Sequence, residues 1–254
     1  MANAPTPAPA EPQRMGALAR MFSALVNPKA AFGDIARNSG MAGSPVWLVP
    51  LSLLIVLSLV ITFSIGQRVT WQRVVAQQID QSSRASQMSP EQRQQAVERG
   101  AKFAPIFGYV FGALGYPIIV VLMAAILMAA FNVLASAGVR FSAAMGIVAH
   151  ACMPLMVSGL LAVVVIFLKD PENINLNNLL GSNLGALVAS DSPKWLERLA
   201  ISVDLFSFWV IFLLALGFSA VNPNKVSLGK GLGIVFSMWA LLTLARVGLT
   251  AIFS

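Results

Sequence analysis

Residues 104 to 168 constrain the fold more than any other stretch. Between Lys102 and Lys169 the chain carries one charged side chain, Arg140. Ala104–Ala137 is an unbroken apolar run, and Phe141–Leu168 is a second. A charge-free run longer than about 18 residues reads as a membrane span. Both runs exceed the length a crossing needs, so tilt or a proline bend is expected, at Pro117 and Pro154. The corner through Val139-Arg140 has room only for a tight helical hairpin.

Composition agrees with a membrane location. Only 11% of the residues are charged and 57% are hydrophobic, where a soluble domain averages about 25% charged. The net charge of +7 is spread over tails and loops, with no run of five or more bases. That distribution suits a membrane surface and excludes a nucleic-acid footprint. Cys152 and His150 are the only residues of their kinds, which excludes an internal disulfide, a Cys-rich metal site and a His–His metal site. No metal or cofactor is expected. The first apolar run begins at residue 46, too late and too long for a cleavable signal, so the first span must direct insertion.

The expected architecture is all-α: a polytopic bundle of five transmembrane helices with short amphipathic surface helices. Residues 1–13 form an Ala/Pro-rich tail with little to bury, expected to be disordered. Residues 14–43 supply amphipathic helices. In the first, Leu18, Met21, Phe22 and Leu25 fall at helical spacing with Arg14 and Arg20 among them. Asn27-Pro28 ends that helix and starts the next, whose buried side would be Phe32 and Ile35. Residues 44–254 form the membrane domain, with spans near 46–65, 104–137, 141–168, 201–221 and 231–253. The connection 67–103 should be helical. Trp71, Val74, Val75 and Ile79 make one amphipathic helix, and Ser89-Pro90-Glu91-Gln92 opens another as a capping box. Ser192-Pro193 opens a short helix carrying Trp195 and Leu196. The segments 14–26 and 70–82 are expected on the membrane surface, because their apolar faces otherwise lack cover.

Ionisable groups within spans are functional candidates, because hydrocarbon makes them costly. Asp204 near the start of the fourth span and Arg246 near the end of the fifth have similar inferred depth. An ion pair between them is expected, either fixing helix register or serving a substrate or proton. On the opposite face Asn132 and His150 are placed to share an interhelical hydrogen bond. His150 is then a packing group or a proton relay. Gly108 and Gly112, extended by Gly115, form a small-residue face open to a partner helix or a second copy. No HExxH, GxSxG, P-loop or paired intramembrane carboxylates occur, so no catalytic residue is assigned and the chain is not expected to be an enzyme.

Several short motifs carry a family resemblance. Leu25-Val26-Asn27-Pro28, followed by Ala31-Phe32 and Ile35, precedes the first span. Ser202-Val203-Asp204-Leu205-Phe206 with Trp209 opens the fourth. Gly217-Phe218-Ser219, then Val226-Ser227 and Lys230, leads into the last. Over roughly residues 20 to 253 the chain resembles the Yip-domain family. The resemblance implies five spans with a cytoplasmic N-terminus, and hence the C-terminus on the other side. It also implies an adaptor class that binds prenylated Rab-type small GTPases and shapes or sorts early secretory membranes. The segment Met88–Arg93 looks like the long first connection of bacterial members, which implies a bacterial inner membrane. The expected function is a non-enzymatic membrane organiser, scaffold or partner-binding protein. The alternative is a small transporter or channel using Asp204, Arg246 and His150.

Overall fold

The computed structural model describes residues 14–39, 45–82, 87–189 and 192–253. The tail read over 1–13 lies outside the described residues, as do Gly40 and Ser44 at the edges of the elements read there. The described chain is a helix bundle, a polytopic membrane protein. Its helices are α1 (Ala17–Val26), α2 (Pro28–Asn38), α3 (Leu48–Arg68), α4 (Trp71–Asp80), α5 (Pro90–Ala135), α6 (Phe141–Ala151), α7 (Met153–Leu168), α8 (Lys194–Ser202), α9 (Leu205–Val221) and α10 (Leu228–Phe253). Helices α3, α5, α6 with α7, and α10 are long and apolar enough to cross a membrane. Helix α9 has 17 residues, about 25 Å at 1.5 Å per residue, at the short end for a crossing. With α9 counted, the chain crosses five times. One end of the bundle therefore carries α1, α2 and the corner at 136–140 (the N-terminal face). The other carries α4, the start of α5, α8 and the C-terminus (the C-terminal face).

Local chemistry explains the breaks. Ser89 receives the Gln92 N–H on its hydroxyl while the Gln92 side chain accepts the Ser89 N–H, so two orphan donors at the start of α5 are satisfied. From there α5 continues for 46 residues through Pro105 and Pro117. Its length is about 70 Å, against a hydrocarbon core of about 30 Å, so its polar first turns stand outside the bilayer. The third crossing is split at Cys152, with Pro154 in the first turn of α7. Proline has no N–H to give and its ring crowds the carbonyl four residues back. At the corner, Ser136 has φ of 49° and Gly138 φ of 69°, the left-handed conformation that reverses the chain after a helix.

The core lies where α2, α6 and α9 meet. Phe32 and Ile35 are fully buried there. Small residues make the room: a Cβ on Gly217 would come within 2.9 Å of the Phe32 ring, and one on Gly146 within 3.0 Å of Ile35. Phe131 of α5 and Phe218 of α9 stack with centroids 4.6 Å apart, completing the core on the far side. Helix α2 thus packs its buried side against α6 and α9. In α1 it is Arg20, Met21 and Ala24 that turn inward, while Leu18 and Phe22 face out.

Candidate functional site

The polar groups of the bundle sit in separate places, each with its own task. At the N-terminal face, Arg20 Nε donates to Asp34 Oδ2 at 2.7 Å, with side-chain exposures of 3% and 2%. The Met15 N–H donates to Asp34 Oδ1 at 3.1 Å, the Asn38 amide donates to the same oxygen at 2.8 Å, and Arg20 Nη2 donates to the Met15 carbonyl. Burial alone would raise the Asp34 pKa. The hydrogen bonds from Met15, Arg20 and Asn38, with the Arg20 charge, outweigh it and hold the carboxyl below its ordinary value. This ion pair is not among those expected from the sequence. The available signal was a carboxylate set between Phe32 and Ile35 on a face otherwise bound for the core.

At the corner, Asn132 serves the backbone. Its amide donates to the Val139 carbonyl at 3.0 Å and its oxygen accepts the Val139 N–H at 2.7 Å. The expected bond to His150 is therefore not made: both ends of the Asn132 amide are used in closing the turn after α5. His150 is fully buried in α6 and its Nδ1 lies 2.8 Å from the Gly146 carbonyl. A ring donating there in its neutral form keeps Nε2 as a bare acceptor, and Nε2 is enclosed with no hydrogen-bond partner among the described residues.

Asp204 and Arg246 do not pair either. Asp204 is the N-cap of α9: Oδ2 accepts the Ser207 N–H at 2.9 Å and Oδ1 accepts the Ser182 hydroxyl at 2.6 Å. A short antiparallel bridge between Asn183 and Asp204 holds the preceding loop in place. The carboxylate is consumed by a helix terminus, where it suits the dipole as well. Arg246 instead lines a cleft of about 500 Å³ between α8 and α10, with Arg198, Ile201, Ser202, Leu249 and Thr250.

The small-residue face of α5 is already occupied within the chain. A Cβ on Gly108 would come within 2.9 Å of the Trp71 ring, and one on Gly112 within 3.1 Å of Thr62 and 3.3 Å of Leu59. Gly108 and Gly112 therefore admit α3 and α4 rather than a second copy, and Gly115 alone meets open space. Helix α4 also finds its cover inside the chain. Val75 is buried against Gly100 of α5, and Trp71 lies 6.4 Å from Tyr109. A larger groove, about 860 Å³, runs past Arg68, Arg73 and Arg93 at the same membrane face. There the arginines have partners: Arg93 pairs with Asp80 at 2.7 Å, Arg73 donates to the Glu172 carbonyl at 2.8 Å, and Arg68 donates to that of Phe167 at 3.4 Å.

Residues 22–249 match the Yip1 domain, a range that takes in α2, the first four crossings and all but the last turn of α10. The chain belongs to the Yip1-domain family. No curated protein and no solved structure matches it. Membership of this membrane family agrees with the crossings and with the Asn27-Pro28 and Asp204 segments, which the fold uses as helix starts.

Proposed function

We propose that this Yip1-domain protein is a non-enzymatic membrane organiser that works through surface elements fixed rigidly to its bundle. One observation carries this reading. Helix α1 presents Leu18, Phe22 and Val26 as an outward ridge, 70%, 66% and 63% exposed, while its inner side is locked to α2 by the Arg20–Asp34 pair. Three large apolar side chains at four-residue spacing, on a helix held by a buried ion pair, make a ridge for a partner helix to cover, and we read α1 as a partner-binding surface. Helices α4 and α5 form the matching rigid projection at the other face. The same reading places the chain in a bacterial inner membrane with its N-terminus in the cytoplasm, following the family resemblance. Small GTPases enter as a partner class on that resemblance alone.

The transporter reading rests on Asp204, Arg246 and His150, and they occupy three separate environments. A transport site draws its charged groups to one cavity near the midplane. The two readings part in a reconstitution experiment. Proteoliposomes should show no proton, ion or solute flux above protein-free vesicles, and the purified protein no turnover of lipid or peptide. Sustained flux lost in Asp204→Asn, Arg246→Gln or His150→Ala would replace the organiser with a transporter.

A further inference from the structure

The cleft between α8 and α10 is a site of a different kind from the others. Its wall holds two arginines from elements far apart in sequence, Arg198 of α8 and Arg246 of α10, with no carboxylate among its lining residues. Arg20 and Arg93, by contrast, each pair with a carboxylate. Arg198 and Arg246 have neither an ion pair nor a side-chain hydrogen bond among the described residues. The acids nearest in sequence are otherwise placed: Asp204 caps α9 and holds Ser182, and Glu197 lies in the first turn of α8 outside the lining.

The hydroxyls of the cleft define what it can bind. Ser202 donates to the Arg198 carbonyl and Thr250 to the Arg246 carbonyl, both at 2.9 Å. Their protons are therefore committed to the helix backbone, and recognition falls to the guanidinium groups. Two arginines lining one cleft suit a phosphate, which takes bidentate hydrogen bonds from a guanidinium. The walls are apolar on both sides, Ile201 from α8 and Leu249 from α10. Around Arg246 the surface of α10 is lipid-facing, with Leu241, Leu242, Leu244, Leu249 and Ile252 all exposed. Arg246 is seven residues from the end of α10 at Phe253, about 10 Å of helix rise, so its long side chain reaches headgroup level by snorkelling.

The helix that carries Arg198 is packed in place on both sides. Helix α8 packs on α10 and on the 3-10 turn Leu184–Leu187, where Gly185 lies close under Ile201. The Asn183–Asp204 bridge holds that turn. Two cations of like sign thus line one cleft, within two turns of the end of α10.

We infer that the α8–α10 cleft is a binding site for an anionic phospholipid, its phosphate held between Arg198 and Arg246 and its acyl chains lying along α10. Arginine binds the phosphate oxygens of such a headgroup through charge-assisted hydrogen bonds. The site stands apart from the organiser reading and would serve a transporter equally.

The test uses the full chain in neutral detergent, with bound lipid counted by native mass spectrometry and unfolding followed by tryptophan fluorescence. Phosphatidylglycerol, phosphatidylcholine and inorganic phosphate are added separately. The wild type should retain phosphatidylglycerol and unfold at a higher temperature with it, with little response to the other two. Arg198→Gln and Arg246→Gln should each weaken that retention on the order of tenfold, as loss of a charged hydrogen-bonding partner does. Arg198→Lys and Arg246→Lys keep the charge and lose the fork, so they should fall between. Arg99→Gln, on the same membrane face outside the cleft, should behave as wild type. Equal retention in the Arg198 and Arg246 variants overturns the site. Stabilisation by inorganic phosphate alone, or an equal response to phosphatidylcholine, overturns the anionic-lipid assignment. If a glutamine variant fails to fold, the lysine variant decides: undiminished retention there refutes the bidentate contact.

Discussion

Arg20 and Asp34 are both almost fully enclosed, and neither could remain charged there alone. Removing one partner of a buried pair strands the other without solvent, at a cost of about 3–5 kcal/mol, whereas replacing both with apolar side chains is often neutral. Arg20→Met and Asp34→Leu should therefore each lower the unfolding temperature sharply, and the double variant should recover most of the loss. The pair also sets an acid limit. Asp34 titrates below its ordinary value of 3.8 in the folded protein. Its contribution is therefore full above that value and is lost as pH falls through the lower, folded one. The Asp34→Asn variant should lack this loss in a pH series of thermal unfolding. Asp204 makes a different prediction. As an N-cap, its replacement by alanine should cost about 1 kcal/mol and by asparagine less. A double-mutant cycle between Asp204 and Arg246 should show no coupling; a clear coupling energy would restore their pairing. Residue types were legible where the role was local. Ser89 with Gln92 and Asn27 with Pro28 are helix starts in sequence and in space. Asp204 carries the same kind of signal, a capping residue with its recipient Ser207 three positions on. It was hidden because an apolar run beside it reads as span.

The elements were legible by period and length, and their partners were not. The apolar stripe Trp71, Val74, Val75 and Ile79 predicts a helix, and α4 is one. Periodicity alone does not say what covers the stripe, and here α5 does, through Gly100 and Gly108. The same limit applies to α1 and α2. Helical spacing groups Leu18 with Met21 and Phe22, yet the fold turns Met21 inward and the other two out, because Arg20 must reach Asp34. The α4–α5 contact supplies a prediction. A Cβ on Gly100 would come within 2.7 Å of a Val75 methyl, and Gly100→Leu adds far more bulk than that gap can take. Hydrogen exchange should rise across Trp71–Asp80 and stay unchanged in α9. Uniformly faster exchange through both would mean that α4 is not an independent appendage of α5. The exposed Arg93–Asp80 bridge should matter little by comparison, under about 1 kcal/mol.

For the whole molecule, the alternation of five crossings puts α1, α2 and the 136–140 corner on one side and α4, α8 and the C-terminus on the other. With the N-terminus in the cytoplasm, a reporter fused after Ser254 should be active only when exported. The organiser claim has a more direct test, photo-crosslinking in native membranes followed by mass spectrometry. A photoreactive residue at Phe22, on the exposed ridge of α1, should give discrete protein adducts, either one recurring partner or a second copy of this chain. The same group at Val148, buried in the core, should give only adducts within the chain. Lipid adducts alone at Phe22, in membranes where the protein is abundant and folded, would contradict the claim that α1 presents a partner-binding surface.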